Sequence, residues 1–543
     1  MKSTMQHSKL SVPSLLRHGL TLFPNSKVFT FDGASSSVQT FFETAQRAAR
    51  LANALKSLGI NRDDRVATFC FNHNVHLEAY LAIPSSGAIL HTLNIRLFSD
   101  QLQFIIEDSG DKVIIADGLV LGLLAKVLPR TPSVTHVIVN GEYDPRIASA
   151  LSIPVLDYEE LLRANSDHFD WIEPADETDA AALCYTSGTT GDPKGVVYSH
   201  RSTWLHSNAV TSSASLGLSG SDRCLVVVPM FHVNAWGIPY AAWMVGCDLV
   251  LPGRYLQAAP LAKMISDLEP TIASGVPVIW NDLVHFAEDN PVNLKSLRIL
   301  SSGGSAAPRS LIEAFRDRFD IPMIQGWGMT ETSPICTLAV LPRNTPKDKE
   351  IDYLVTAGRP VPGVSLRVVD EDGKIVPNDG KSLGEIEVSG PWITESYYKD
   401  RNPECFDGFW LRTGDIGFIS NEGYLTISDR TKDVIKSGGE WISSVELENA
   451  LMAHEAIYEA SIVGVRDDRW IERPLACIVL RPGFEAKPEE LRDFLVGKVA
   501  RWWLPERWTF LSEIPKTSVG KFDKKVLRKM YSEHDMEVTE IIN

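Results

Sequence analysis

Residues 185–196 read Tyr-Thr-Ser-Gly-Thr-Thr-Gly-Asp-Pro-Lys-Gly-Val, directly after the apolar segment 180–184. Three glycines, four Ser/Thr hydroxyls and one lysine fall within this stretch. Glycine lets successive backbone N–H groups turn toward an anion, hydroxyls add donors, and lysine supplies a point charge. The combination describes a flexible cradle for a triphosphate. It is not a Walker loop, which needs Gly, four residues, then Gly-Lys-Ser/Thr; the fifth residue after Gly188 is Pro193. The same composition also describes a solvated turn, so its meaning depends on what surrounds it.

Upstream and downstream, short apolar runs at 66–71, 112–116, 136–139, 225–228, 249–251 and 297–301 read as buried strands. Segments such as 41–58 and 261–268 between them carry helical spacing. This alternation predicts an α/β fold with parallel sheets through about residue 340. From about 358 to 427 the pairs Pro362-Gly363, Asp372-Gly373 and Glu422-Gly423 punctuate short apolar runs, predicting antiparallel strands. A small α+β unit follows. Ser443 and Glu446 have capping-box spacing, with Leu447, Ala450, Leu451 and His454 on one helical face. Residues 460–465 read as a strand, and Leu491, Phe494, Leu495, Val499 and Trp502 mark a second amphipathic helix. The boundary falls at 429–433, dividing an N-terminal domain, 1–430, from a C-terminal domain, 431–543.

At 543 residues the chain is too long for one core. A formal net charge of −16 argues against binding nucleic acid, and disfavours attachment to anionic lipid by charge alone. The seven cysteines contain no Cys-x-x-Cys pair, which predicts free thiols in a reducing cytosol rather than a zinc site or disulfide framework. No signal peptide follows Met1, and no apolar run is long enough to span a membrane. The expected location is therefore cytoplasmic, with peripheral membrane contact and a homodimer left open.

Six further strings carry chemistry. Gln325-Gly-Trp-Gly-Met-Thr-Glu-Thr-Ser-Pro334 places an aromatic between glycines, able to stack on a purine, beside a hydroxyl and a carboxylate suited to phosphate and Mg²⁺. Trp410-Leu-Arg-Thr-Gly-Asp415 follows, then the charged run Ser428–Ser443 and Pro515-Lys-Thr-Ser-Val-Gly-Lys521. The aromatic-rich Pro229-Met-Phe-His-Val-Asn-Ala-Trp-Gly-Ile-Pro-Tyr240 precedes the glycine-rich Ser302-Gly-Gly-Ser-Ala306. Alone, each also describes a turn, a core packing site or a solvated charge run. Together with 185–196, they resemble in order the motifs of the adenylate-forming superfamily, and within it the fatty acyl-CoA synthetase branch.

That resemblance implies a large N-terminal domain of layered α/β subdomains plus a β-rich subdomain, and a small mobile α+β C-terminal domain. It implies that Thr186, Ser187, Gly188, Thr189, Thr190 and Lys194 contact ATP, together with Gly303, Gly304, Ser305, Gln325, Gly326 and Gly328. Trp327 would stack on adenine, Thr330 touch phosphate, and Glu331 and Thr186 hold Mg²⁺. Asp415 would bind the ribose hydroxyls and Arg430 face the nucleotide. Lys432 aligns with a hinge, and Lys436, Gly438 and Trp441 with a channel for the pantetheine of coenzyme A. His232 would orient the carboxylate, with Val233, Gly304 and the gate position Trp236 on the acyl side. Lys521 would neutralise charge developing between the acid oxygen and the α-phosphate, completing a catalytic set with Thr186, Glu331 and His232. Lys516, Lys524, Lys525 and Arg528 read as solvated or coenzyme-facing. Ile471 departs from the family, which usually has glycine there.

The reaction so implied joins a fatty acid to coenzyme A through an acyl-adenylate, with small-molecule substrates only. A ligase for a small acid such as 3-methylthiopropionate keeps every motif. An adenylating enzyme that loads a carrier protein, a luciferase-like oxygenase and a non-catalytic nucleotide binder are the other readings.

Overall fold

The apolar runs read as buried strands assemble into two largely parallel sheets in a computed structural model. The structure describes residues 1, 3–186, 192–437, 440–467, 469–517 and 521–541, with backbone only at 440 and 441. One sheet has seven strands, in the order Val155–Asp157, His136–Asn140, Val113–Asp117, Arg65–Phe69, Ile89–Thr92, Ala180–Tyr185 and Gly195–Ser199. All pairs are parallel except the last, which is antiparallel. The other sheet has nine strands; Asp248–Leu251, Arg223–Val226, Ile272–Gly275, Ile299–Ser302 and Met323–Gly328 form its parallel centre.

A single apolar core joins the two sheets. Within it lies the helix Asn74–Ser85, buried from Val75 to its end and apolar nearly all round. Its one carboxylate, Glu78, is fully buried but accepts from Arg47, Asn74 and the Tyr158 hydroxyl. A buried charge needs such partners.

The Pro-Gly and Asp-Gly punctuated region forms a five-stranded antiparallel sheet of Ser365–Val369, Gly384–Ser389, Phe406–Asp407, Trp410–Ile419 and Leu425–Arg430. The smaller C-terminal domain is built on a six-stranded sheet whose longest strands are Ile457–Asp467 and Ile471–Leu480. It is covered by the helices Ser444–Met452, Pro488–Leu495 and Lys524–Ser532.

The second amphipathic helix is shorter than its pattern predicts. It stops at Leu495, because Val496 is extended and Gly497 takes φ +82°. Val499 therefore forms an isolated bridge with Val496, and Trp502 sits in the short 3₁₀ segment Arg501–Trp503. His454 likewise lies beyond the helix end at Met452. Ser443 does cap that helix, accepting the Glu446 N–H at 3.1 Å. All seven cysteines are free thiols, six of them buried. Among the described residues no helix is long and apolar enough to cross a membrane.

Candidate active site

The parallel strands Ala180–Tyr185, Ile299–Ser302 and Met323–Gly328 end at the rim of a single cavity of about 570 Å³, as ligand sites in open α/β sheets do. Sequence strings separated by hundreds of residues converge on it. Thr186, Lys194, Gly303, Gly304, Gly326, Trp327, Gly328, Thr330, Glu331, Arg430, Lys432 and Lys521 all line it, as do His232, Val233 and Trp236.

The cradle hairpin is closed at its base by the Thr186 N–H donating to the Lys194 carbonyl at 2.9 Å. The Lys194 N–H returns to Thr186 Oγ1 at 3.2 Å. Ser187, Gly188, Thr189 and Thr190 lie outside the described residues. Opposite, the turn after Met323–Gly328 folds back so tightly that a Cβ at Gly328 would overlap the Pro334 carbonyl. Only glycine fits there. The Thr330 carbonyl accepts from the buried Tyr198 hydroxyl at 2.6 Å, and Glu331 Oε1 accepts from Tyr397 at 2.6 Å. Trp327 donates its indole N–H to Asp415 Oδ2 at 2.8 Å, and Arg430 Nε meets Asp415 Oδ1 at 3.0 Å. Asp415 is thus buried and doubly held, and it keeps the Arg430 guanidinium firmly charged.

Lys521 enters from the C-terminal domain on the loop closed by the Thr517 N–H donating to the Lys521 carbonyl at 2.7 Å. Its Cε lies 3.7 Å from the position a Cβ would take on Gly304. Burial pulls its pKa down to about 8, and the neighbouring Arg430 charge adds to that, against opposing pulls from Asp415 and Glu331. Burial likewise weakens the affinity of Lys432 for its proton, helped by Arg430.

The end lined by His232, Val233 and Trp236 is built differently. Val233, Asn234, Ala235, Trp236 and Gly237 all have positive φ, between +46° and +70°, so this segment is one left-handed turn. Such a turn costs roughly 1–2 kcal/mol per non-glycine residue and needs its surroundings to enforce it. Asn234 Oδ1 accepts from the Cys184 thiol at 3.3 Å. Gly237 passes over the His206 ring, where a Cβ would stand 2.5 Å from Nδ1. His206 Nε2 in turn accepts the Ile335 N–H at 3.2 Å, and burial holds its pKa near 3. His232 at the head of the turn is also kept neutral, at about 3, by burial first and then by the charges of Lys521 and Arg96. The Trp236 ring edge, Cη2, lies 2.9 Å from the Cβ position of Gly303. Val210, Leu216, Ile335 and Leu338 complete an apolar wall.

Some candidates are not at the cavity. Gln325 is buried and structural: its side chain accepts the Ala307 N–H at 2.6 Å and donates to the Leu354 carbonyl at 3.2 Å. Ser305 is exposed outside the lining, and Lys436 is exposed on the strand Ile435–Ser437. Gly438 and the Trp441 side chain lie outside the described residues. Three of the lysines and arginines read as solvated or coenzyme-facing are ion-paired instead. Lys524 meets Glu448 at 2.8 Å, Lys516 meets Glu459 at 2.6 Å, and Arg528 meets Asp433 at 2.7 Å. Asp429 is no solvated charge: it is buried and accepts both the backbone N–H and the hydroxyl of Ser444. Ile471, where glycine was expected, sits at φ +75° with its side chain 67 % exposed.

Tyr198, His206 and Tyr397 support the site but lie in none of the quoted strings, and Asn234 lies within one without having been singled out. Their partners lie 50 to 132 residues away, so no local spacing could have announced them.

Comparison with known proteins places this arrangement. The AMP-binding enzyme family model matches residues 17–398, and the AMP-binding enzyme C-terminal domain model matches residues 446–521. The chain is 43% identical over 541 residues to a long-chain-fatty-acid–CoA ligase of Thermus thermophilus, covering 98% of this chain and 97% of that one. It is 39% identical over 540 residues to a 3-methylmercaptopropionyl-CoA ligase of Ruegeria lacuscaerulensis, covering 98% and 99%. Among solved structures, an anthranilate CoA ligase in complex with anthranoyl-AMP superposes with a TM-score of 0.89 at 27% identity, covering 98% of this chain and 100% of that one.

Proposed function

This chain belongs to the AMP-binding enzyme family, and from that premise we propose that it is an ATP-dependent acid–coenzyme A ligase acting on fatty acids. The observation that carries the reading is Lys521. A lysine near the end of the chain stands in the same cavity as the cradle hairpin, the Trp327–Glu331 turn and Arg430, beside an apolar wall.

In the first half-reaction a carboxylate oxygen attacks the α-phosphorus of ATP, the bond to the bridging oxygen breaks, and pyrophosphate leaves. Thr186 and Lys194 bind the departing phosphates, Trp327 stacks on adenine, and Asp415 and Arg430 hold the ribose side. Protonated Lys521 stabilises the charge between the acid and the α-phosphate, an effect that preorganised charges exert without reorganisation. His232 is neutral and positions the carboxylate by hydrogen bonding. The oxygen donors Glu331 and Thr186, both at the cavity, suit a hard cation such as Mg²⁺. When bound there it neutralises phosphate charge.

In the second half-reaction the thiol of coenzyme A loses its proton, attacks the acyl carbonyl, and AMP leaves. Lys521 occupies the cavity in the present arrangement, so the C-terminal domain turns about the crossing at 430–431 to withdraw it, with Lys432 as hinge. The two sheets support that division: Leu425–Arg430 ends one and Ile435–Ser437 begins the other. We place the enzyme in the cytoplasm, where free buried thiols persist.

Acid-dependent exchange of labelled pyrophosphate into ATP tests the adenylate. Exchange that needs a fatty acid but no coenzyme A supports the reading, and exchange that needs no acid overturns it.

A further inference from the structure

The strap 394–401 joins two parts of the cavity that sequence keeps far apart. At one end the Thr394 N–H donates to the Glu331 carbonyl at 2.8 Å. At the other, Lys399 and Arg401 both donate to Asp108, each at 2.7 Å. The Asp108 carboxylate also accepts at 2.7 Å from the hydroxyl of Tyr185, the residue that leads into the cradle hairpin. Between these anchors stands Tyr397, buried and edge-on to Phe406 at 5.6 Å. Its hydroxyl donates to Glu331 Oε1 at 2.6 Å, and Lys194 Nζ sits 4.8 Å over its ring. One side chain thus touches both the acidic and the basic group of the phosphate-facing wall.

We propose that Tyr397 is a positioning residue that fixes the Glu331 carboxylate for a divalent cation and the Lys194 ammonium for phosphate at the same time. The inference rests on the reading of Glu331 as a cation ligand. The physical need is plain. Glu331 and Lys194 carry opposite charge in one cavity, and a direct pair between them would neutralise both before ATP arrives. The phenol separates them: its O–H satisfies the carboxylate, and its π-face satisfies the ammonium.

The two contacts can be removed one at a time. Tyr397→Phe deletes the hydroxyl and keeps the ring; Tyr397→Leu deletes both. The probe is Mn²⁺, its binding to the enzyme–ATP complex read by electron paramagnetic resonance, with metal-free ATP binding read by calorimetry. Tyr397→Phe is expected to weaken Mn²⁺ binding about tenfold while leaving metal-free ATP affinity within about twofold. Tyr397→Leu is expected to weaken both, ATP by about three- to fivefold. Glu331→Gln sets the scale for losing the carboxylate, and unchanged thermal midpoints show that the fold is intact. If Glu331→Gln weakens Mn²⁺ binding and Tyr397→Phe does not, the positioning role is wrong. If Glu331→Gln also leaves Mn²⁺ binding unchanged, Glu331 is no cation ligand and the inference falls with that reading. If Tyr397→Phe and Tyr397→Leu are indistinguishable on metal-free ATP, the ring does not hold Lys194.

Discussion

The two halves of the cavity, one proposed to face the nucleotide and the other the acyl group, are held by opposite means. The first is made of contiguous strings whose backbone does the shaping: a hairpin closed by Thr186 and Lys194, and a turn at Gly328 with no room for a Cβ. The second is a left-handed turn, Val233 to Gly237, in which Val233, Ala235 and Trp236 do not favour that conformation and the segment is held by Cys184 and His206 from elsewhere. A half shaped by its own residues keeps its chemistry in a short readable pattern. A half held by distant neighbours can change its substrate by changing those neighbours, and the string itself does not announce which they are.

The largest expected effect breaks the nucleotide side alone. Lys521→Ala should slow acyl-adenylate formation on the order of 100-fold or more, the size expected for deleting one preorganised charge. Thioester formation from supplied acyl-AMP should persist. Rapid-quench measurement of each half-reaction reads the contrast; equal losses in both would remove the division of labour between them.

Next comes its counterpart on the acyl side. Gly237→Ala places a methyl against His206 at φ +70°, so the turn must shift. A cost of about 2–3 kcal/mol is expected in stability. KM for the acid should rise about tenfold, while KM for ATP stays within about twofold. A matching rise for ATP would show that the halves are not separately built.

The pH dependence sharpens the same contrast. Lys521 titrates near 8, and its ammonium form is the active one, so adenylation should be full below about pH 8 and fall as pH rises through it. Lys521→Arg should move that limb upward by more than one unit, whatever its effect on rate, because guanidinium stays charged. His232 and His206 both stay neutral above about pH 3, so the acyl side contributes no limb between pH 5 and 8. An acid-side limb in that range, with activity falling as pH is lowered, that His232→Asn removes would contradict this.

How much of this was legible follows the same line. The layered α/β architecture and the antiparallel region after 358 could be read from local strings, because strand periodicity and glycine-bounded turns are local properties; the convergence of Thr186, Lys194, Trp327, Glu331 and Lys521 followed only from the family resemblance of the strings taken in order. The helix expected to run through Trp502 could not, since one glycine at φ +82° outweighs a continuing apolar pattern. Nor could the pairing of Lys524 with Glu448, the structural role of Gln325, or the bond from Tyr397 to Glu331. Each depends on which surfaces meet after folding.

The smallest expected effect lies outside the cavity. Ile471→Gly relieves a left-handed conformation costing about 1–2 kcal/mol but frees the unfolded chain by about 0.4–1 kcal/mol. The side chain is mostly exposed, so little burial is lost. A net stabilisation of roughly 0.5–1 kcal/mol should appear in denaturant unfolding, and a destabilisation would mean that the isoleucine packs in some arrangement other than this one.

The most direct test of the ligase assignment is stoichiometric. AMP release and acyl-CoA formation are followed together, with saturated acids from about C3 to C16 in the presence and absence of coenzyme A. The account predicts one acyl-CoA per AMP, dependence on both acid and coenzyme A, and kcat/KM rising several-fold per added methylene up to a medium or long chain, since each buried CH₂ contributes about 0.8 kcal/mol. AMP release without acyl-CoA would contradict the ligase chemistry, and an optimum at propionate-sized acids would contradict the fatty-acid assignment.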